Sequence, residues 1–269
     1  MRPTFHVLAG ILVLAFSFSA CQQDDSAVVD KTIPKTVLDQ IWNLGFSNEN
    51  VQKIDEGYLV EGDIVLTQEN LDDHADHVTL RIADTEQYRT TNLVTGLPRT
   101  ITVSVDTKLT EITGYTQAVN EALNRFNSEN LGLTFVWQGS SGGQIHLKKQ
   151  NGNFLASAGF PSGGNPYNLI KLNAQAIGSG SSQTFIDFCA TIIAHEMGHC
   201  IGFRHTDYFN RALSCGGPAS NEGSAGVGAI HIPGTPTGND ATSWMLACIS
   251  LNQNRPFNNN DKTALNYLY

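Results

Sequence analysis

The stretch from His195 to His205 constrains the fold more than any other part of this 269-residue chain. It reads His-Glu-Met-Gly-His, and a glycine at 202 and a third histidine at 205 follow. On a helix, residues four apart differ by about 40° around the axis, so His195 and His199 face the same way. Gly202 tolerates the positive φ of a sharp turn, which can bring His205 back toward the other two. The sequence therefore predicts a long helix over 185–201 and three imidazoles around one metal ion.

The residue types of this stretch are those of a catalytic zinc site. Three neutral imidazoles leave the fourth zinc position open. Glu196 sits beside them on the helix, displaced from the metal but within reach of a water, which suits a general base. The alternative is a helix with incidental histidines. That reading does not explain why three of only eight histidines in the chain fall at these spacings.

The chain before this helix alternates between strand and helix patterns. Period-two alternation predicts a strand over 100–105, and 3.6-residue spacing predicts a helix over 115–126. Hydrophobic residues make up 41% of the chain, enough for a packed core. The other expected elements are four strands at 133–137, 144–148, 154–159 and 168–172, and a closing helix at 260–268.

These motifs resemble the metzincin clan of zinc peptidases, and within it the bacterial dual-action HEIGH-motif metallopeptidases. The clan has a Met-containing turn that forms an apolar floor beneath the imidazoles, and Ser243-Trp244-Met245 fits it. The resemblance covers about 100–269. It implies an α+β fold with a twisted five-stranded mixed sheet, two long helices and an irregular C-terminal subdomain. It also implies one catalytic zinc ion and endopeptidase activity on protein or peptide substrates.

The resemblance is incomplete at one position. Some members of the clan carry a tyrosine two residues after the Met, where it stabilises the oxyanion, but this chain has Ala247. That role is therefore absent or is taken by another group. Tyr208 could supply it, or could simply pack, and Asp207 is expected to brace the turn through a hydrogen bond.

A second resemblance concerns Val60-Glu61-Gly62-Asp63-Ile64, which is similar to the propeptide motif of astacins. In that family the aspartate binds the catalytic zinc and keeps the enzyme latent, which implies the same switch for Asp63. The alternative is a strand with a Gly-Asp turn in a small accessory domain. The predicted organisation is a signal peptide over 1–21, a tether and pro-segment over 22–98 and a peptidase domain over 99–269.

The N-terminus resembles a bacterial lipoprotein signal. Arg2 precedes an apolar stretch over 7–16, which is shorter than the roughly 20 residues of a membrane-spanning helix. Ser19-Ala20-Cys21 follows, and the resemblance implies acylation of Cys21. The protein is then exported and held at the outer membrane or cell surface of a bacterium by its lipid. The alternative is an ordinary signal peptide with an incidental cysteine.

Four cysteines remain, and an even number in an exported chain suggests two disulfides. Cys189 and Cys200 cannot pair on one helix, because about 16 Å separates them and a disulfide needs Cα atoms within about 7 Å. Of the two remaining pairings we expect Cys200–Cys215 with Cys189–Cys248, and the other stays open.

Charge excludes one class of partner. The net charge is −9 with no long basic run, which argues against nucleic acid. We expect a monomer.

A catalytically silent metzincin-fold surface-binding lipoprotein is the rival function, but a binding module has no need of Glu196. A zinc enzyme acting on another bond, such as a cell-wall amide, also stays open.

Overall fold

A computed structural model of the chain describes residues 33–72, 87–217, 229–236 and 238–269. The predicted signal peptide and the lipidation site at Cys21 lie outside these residues. Within the described ranges, no helix has the length and apolar character needed to cross a membrane.

Residues 33–72 form a small unit that we call the amino-terminal segment. Three antiparallel strands lie side by side in the order β1-β2-β3, between two helices. Its own small core includes Ile41, Phe46 and Leu66, and it packs on Phe160 from the rest of the protein. The elements are α1 (Lys35–Asn43), β1 (Gln52–Ile54), β2 (Gly57–Val60), β3 (Ile64–Leu66) and α2 (Gln68–Asp72).

The described residues from 87 to 269 form what we call the main body. Its elements before the metal-site helix are β4 (Tyr88–Arg89), β5 (Arg99–Val105), α3 (Thr107–Thr110), α4 (Tyr115–Asn127), β6 (Leu133–Trp137), β7 (Ile145–Lys149), β8 (Ala156–Ser157), β9 (Leu169–Leu172) and α5 (Ala174–Ile177). The remaining elements are α6 (Gln183–Ile201), α7 (Ala212–Cys215), β10 (Ile230–His231) and α8 (Asn259–Leu268).

The main sheet has five strands in the order β6-β5-β7-β9-β8. The first four are parallel to their neighbours, and β8 runs antiparallel to β9 at the edge. The long helices α4 and α6 pack against each other and contribute most of the apolar core together with the sheet. The α+β class and the mixed five-stranded sheet are thereby confirmed.

Helix α6 begins and ends at the residues that local chemistry favours. The Ser182 side chain accepts a hydrogen bond from the Phe185 amide at its start, as an N-cap does. It ends at Gly202, whose φ of 110° is unfavourable for any residue with a side chain. A Cβ there would also lie 2.7 Å from Leu93. The predicted helix end and glycine turn are confirmed.

The cysteines correct the predicted pairing. Cys215 and Cys248 form a disulfide with Cα atoms 5.0 Å apart, whereas Cys189 and Cys200 are free thiols. The pairing Cys200–Cys215 with Cys189–Cys248 is therefore wrong. Both cysteines of α6 are fully buried in the apolar core, while the disulfide joins the end of α7 to the chain that follows the Met turn.

The stretch from Gln87 to Thr90 has the composition of a polar linker but packs as part of the main body. Gln87, Tyr88 and Thr90 are each at most 1% exposed. The Thr90 amide donates to the Gly202 carbonyl at 2.8 Å, and the Arg204 amide donates to the Tyr88 carbonyl at 2.9 Å. This stretch therefore supports the turn that follows α6.

Candidate metal centre

The three predicted histidines meet at one point, where an aspartate joins them. His195, His199, His205 and Asp63 each offer one ligand atom, and these four atoms lie within 4.8 Å of one another. The Nε2 atoms of His195 and His199 are 3.1 Å apart, and His205 Nε2 is 3.2 Å from Asp63 Oδ2. The structure thus brings together the three histidines of the motif and the aspartate of the amino-terminal segment.

Backbone carbonyls fix the tautomers of two imidazoles. His195 Nδ1 lies 3.0 Å from the Trp244 carbonyl oxygen, and His199 Nδ1 lies 2.8 Å from that of Phe203. Each Nδ1 must therefore carry the proton, which leaves a lone pair on each Nε2. Two lone pairs that face each other at 3.1 Å repel unless a cation lies between them.

This donor set fits a zinc ion. Imidazole nitrogens bind zinc at about 2.0–2.1 Å, so two nitrogens on one tetrahedral ion lie about 3.3 Å apart. Three neutral imidazoles and one carboxylate oxygen also match the ligand types that zinc prefers. His199 is suited to this role, since burial lowers its pKa well below the usual value and keeps the ring neutral.

Glu196 lies beside the cluster with a carboxylate that is 2% exposed. Its Oε2 has no hydrogen-bond partner among the described residues. Burial raises the pKa of Glu196 well above its usual value, and the nearby Asp63 carboxylate raises it further. Glu196 thus places a buried carboxyl group with an unpaired oxygen next to the histidine cluster. A proton acceptor for a bound water requires this arrangement.

A floor of two side chains supports the histidines. Met245 and Trp244 are at most 1% exposed, and both lie against Gly198 of α6. A Cβ on Gly198 would be 2.5 Å from the Trp244 ring and 2.6 Å from the Met245 sulfur. Only glycine therefore lets the Met turn approach the helix between the two histidine ligands.

Asp207 braces the same turn. Its carboxylate accepts hydrogen bonds from the Ala247 amide at 2.9 Å and from the Ser214 hydroxyl at 2.5 Å. The Tyr208 ring is 4% exposed and packs edge-on against Tyr88, with 4.4 Å between ring centroids. The structure thus favours a packing role for Tyr208 over the oxyanion role.

Asp63 reaches the cluster from the turn between β2 and β3 of the amino-terminal segment. Its carbonyl accepts from the Ala158 amide at 2.9 Å, and the Val65 amide donates to the Ala158 carbonyl at 2.7 Å. This adds the segment to the sheet next to β8. Burial disfavours the charged form of Asp63, but the neighbouring histidines, His205 above all, hold its pKa well below the usual range.

Sequence reasoning missed a buried ion pair next to the centre. Arg204 and Glu61 have fully buried side chains, with Arg204 Nη2 and Glu61 Oε2 3.5 Å apart. Arg204 Nη1 also donates to the Gly45 carbonyl, and the guanidinium lies 4.2 Å from the Phe46 ring centroid. Each residue lies within a motif singled out in the sequence, but neither motif indicates that the two residues pair, and only the packing of the two units shows it.

Comparison with known proteins agrees with this class of site. The family model of the dual-action HEIGH metallo-peptidases matches residues 58–269. The chain belongs to this family of metallopeptidases. The resemblance stated from the histidine motif is confirmed.

Two solved structures of myroilysin show a weaker likeness. Their TM-scores are 0.31 and 0.37, at 18% and 14% identity. The alignments cover 44% and 64% of this chain, and 54% and 83% of theirs, so the first match spans about half of that chain. At these values they carry no argument here. No curated protein matches the chain.

Proposed function

We propose that the chain is an exported, lipid-anchored zinc endopeptidase that is made in a latent form. The observation that carries the proposal is the convergence of three histidine Nε2 atoms on the Asp63 carboxylate, beside the buried Glu196. Three histidines supply a catalytic ligand set, and the aspartate of a separate segment occupies the position that a catalytic site keeps open.

The proposed chemistry is hydrolysis of a peptide bond. A zinc ion held by His195, His199 and His205 would supply Lewis-acid polarisation and lower the pKa of water. Glu196 Oε2 takes the proton from the attacking water and delivers it to the nitrogen of the leaving amine. The Met245 and Trp244 floor keeps the imidazoles in place during this transfer.

Substrate binding would use the edge of the main sheet. β8 is the edge strand, and its Ala156 and Ser157 are small, so an extended peptide can add beside them. In the structure the backbone around Asp63 and Val65 is hydrogen-bonded to Ala158 instead. The amino-terminal segment therefore covers both the metal position and the sheet edge, which supports latency.

Charge pairs reinforce this cover. Lys171, which is 2% exposed, forms an ion pair with Glu56 of the β1–β2 turn. Arg204 is paired with Glu61, and Arg211 donates to the Glu61 backbone carbonyl. Two carboxylates of the segment thus neutralise two cations of the main body.

Cleavage of an unfolded protein by the full chain tests the proposal. We expect no cleavage of the substrate before limited proteolysis of the chain and cleavage after it. Chelation of the metal ion and the Glu196→Ala substitution should each abolish this cleavage. Asp63→Ala should cleave without proteolysis, whereas Asp55→Ala, at an exposed position of the same segment, should stay latent. An Asp63→Ala chain as silent as the wild type would rule out the aspartate switch.

The rival functions give different results in the same assay. If every form binds one zinc ion per chain but none cleaves protein, a silent surface-binding lipoprotein becomes the better reading. Release of cell-wall fragments without proteolysis would favour another amide as substrate. The lipid anchor has its own test, since Cys21→Ala should move the protein from the membrane fraction to the soluble fraction.

A further inference from the structure

An apolar pocket opens beside the metal centre and ends at a buried arginine. It is a cavity of about 230 Å³ between α6 and the chain that follows the Met turn. Its walls include Leu155, Ile192, Leu246 and Ile249, and Arg255 also lines it. The rim on the other side belongs to the amino-terminal segment, so release of that segment would open the pocket further.

The position of the pocket shows which part of a substrate would enter it. Glu196 and His195 line the pocket, whereas His199 and His205 do not. In the proposed reaction Glu196 must reach the nitrogen of the leaving amine to deliver its proton. A pocket on the Glu196 side therefore receives the side chain of the residue that contributes this amine, immediately after the scissile bond.

Arg255 has hydrogen-bonding capacity that the protein leaves unused. The residue is only 8% exposed, and its Nη1 donates to the Cys248 carbonyl at 2.7 Å. Its Nε has no partner, and the guanidinium takes part in no ion pair among the described residues. Burial lowers the pKa of Arg255, but a guanidinium stays cationic in proteins. The Asp207 carboxylate opposes this shift, but the buried Nε–H still has no acceptor among the described residues, so an anionic group in the pocket would satisfy a donor that the protein leaves open.

We propose that Arg255 selects substrates with an acidic residue immediately after the scissile bond, an inference that rests on the proposed peptidase function. The apolar walls contact the methylene groups of an aspartate or glutamate side chain, and its carboxylate pairs with the guanidinium. Charge-assisted pairs of this kind are strong in a desolvated pocket. A neutral amide of similar size could accept a hydrogen bond from the guanidinium, but it would lack the charge that strengthens the pair.

The distribution of charge in the chain agrees with an acidic substrate. Residues 33–72 contain eight acidic residues and only two basic residues. The amino-terminal segment that covers the cleft is thus acidic, and Lys171 and Arg204 of the main body meet its carboxylates. When the segment leaves, these cations remain to attract a negatively charged peptide.

Peptide cleavage by the zinc-loaded full chain after limited proteolysis tests this preference. Two peptides that differ only in glutamate or glutamine after the scissile bond are compared, and a mixed peptide library identifies the preferred residue at each position. We expect kcat/KM to be at least tenfold higher for the glutamate peptide. Arg255→Met should remove this ratio, and Arg255→Lys should retain part of it because the charge remains.

Binding separates recognition from turnover. The glutamate and glutamine peptides are titrated into proteolysed full chain carrying Glu196→Gln, with and without Arg255→Met. Tighter binding of the glutamate peptide that depends on Arg255 supports the pocket assignment even if the wild type cleaves nothing, which would refute the peptidase proposal alone. Cleavage without an acidic preference in the wild type, or a preference that survives Arg255→Met, would overturn the assignment.

Discussion

Neutralising Glu61, which is not one of the four candidate ligands, should weaken latency, and its Oε2 also lies 3.9 Å from Nδ1 of the candidate ligand His205. Both side chains of the Glu61–Arg204 pair are fully buried, and the cation also lies against the Phe46 ring and the Gly45 carbonyl. All of these partners belong to the amino-terminal segment. Glu61→Gln therefore removes a negative charge that faces Arg204 only while the segment is bound.

The magnitude follows from the burial of the pair. Removing one partner of a buried ion pair costs about 3–5 kcal/mol. Because Glu61 faces Arg204 only while the segment is bound, this free energy shifts the equilibrium between bound and released segment. The shift corresponds to roughly 150-fold to 4,000-fold in favour of the released state.

The assay is protein cleavage by full chain that has not been proteolysed. We expect Glu61→Gln to cleave the protein substrate faster than the wild type. Its amino-terminal segment should also unfold at a lower temperature. Glu49→Gln removes the same charge from an exposed position of the segment and should change neither. If Glu61→Gln is as silent and as stable as Glu49→Gln, the ion pair does not hold the segment and the reasoning is wrong.

Three further outcomes are expected. Gly198→Ala should lose about 1–3 kcal/mol of unfolding free energy by overpacking against Trp244 and Met245, read from chemical denaturation together with reduced cleavage. Serine in place of both Cys215 and Cys248 should lower the free energy of unfolding by about 3–4 kcal/mol, because their disulfide closes a 33-residue loop. A lower unfolding temperature would show this loss. Burial raises the pKa of Asp261 to about 7, although the hydrogen bonds that it accepts oppose this shift. Its protonated form therefore stabilises the folded protein at low pH, and this contribution to the unfolding free energy is lost as the pH rises through 7. The unfolding free energy should fall by about 1.4 kcal/mol between pH 6 and 8, and a slope that persists in Asp261→Asn would contradict this assignment.

The sequence by itself determined the metal centre. Helical periodicity places His195, Glu196 and His199 on adjacent positions of one helix, and a glycine turn is the local device that returns His205. Strand and helix patterns gave most of the main sheet for the same reason, because they depend on near neighbours. Signals of this kind are complete within a window of about twenty residues.

Only the tertiary structure decided the disulfide pairing, the buried ion pair and the pocket. Each of them joins parts of the chain that share no sequence pattern. Cys215 pairs with Cys248 because the end of α7 meets the chain that follows the Met turn, while the cysteines of α6 are buried in the core. Glu61 reaches Arg204, and Arg255 reaches the pocket, only through packing between distant segments. Gln87 looks like part of a polar linker, yet its amide donates to Ser243 and Asp261 beneath the Met turn. Burial and pairing of such groups depend on the packed whole, and no local spacing encodes them.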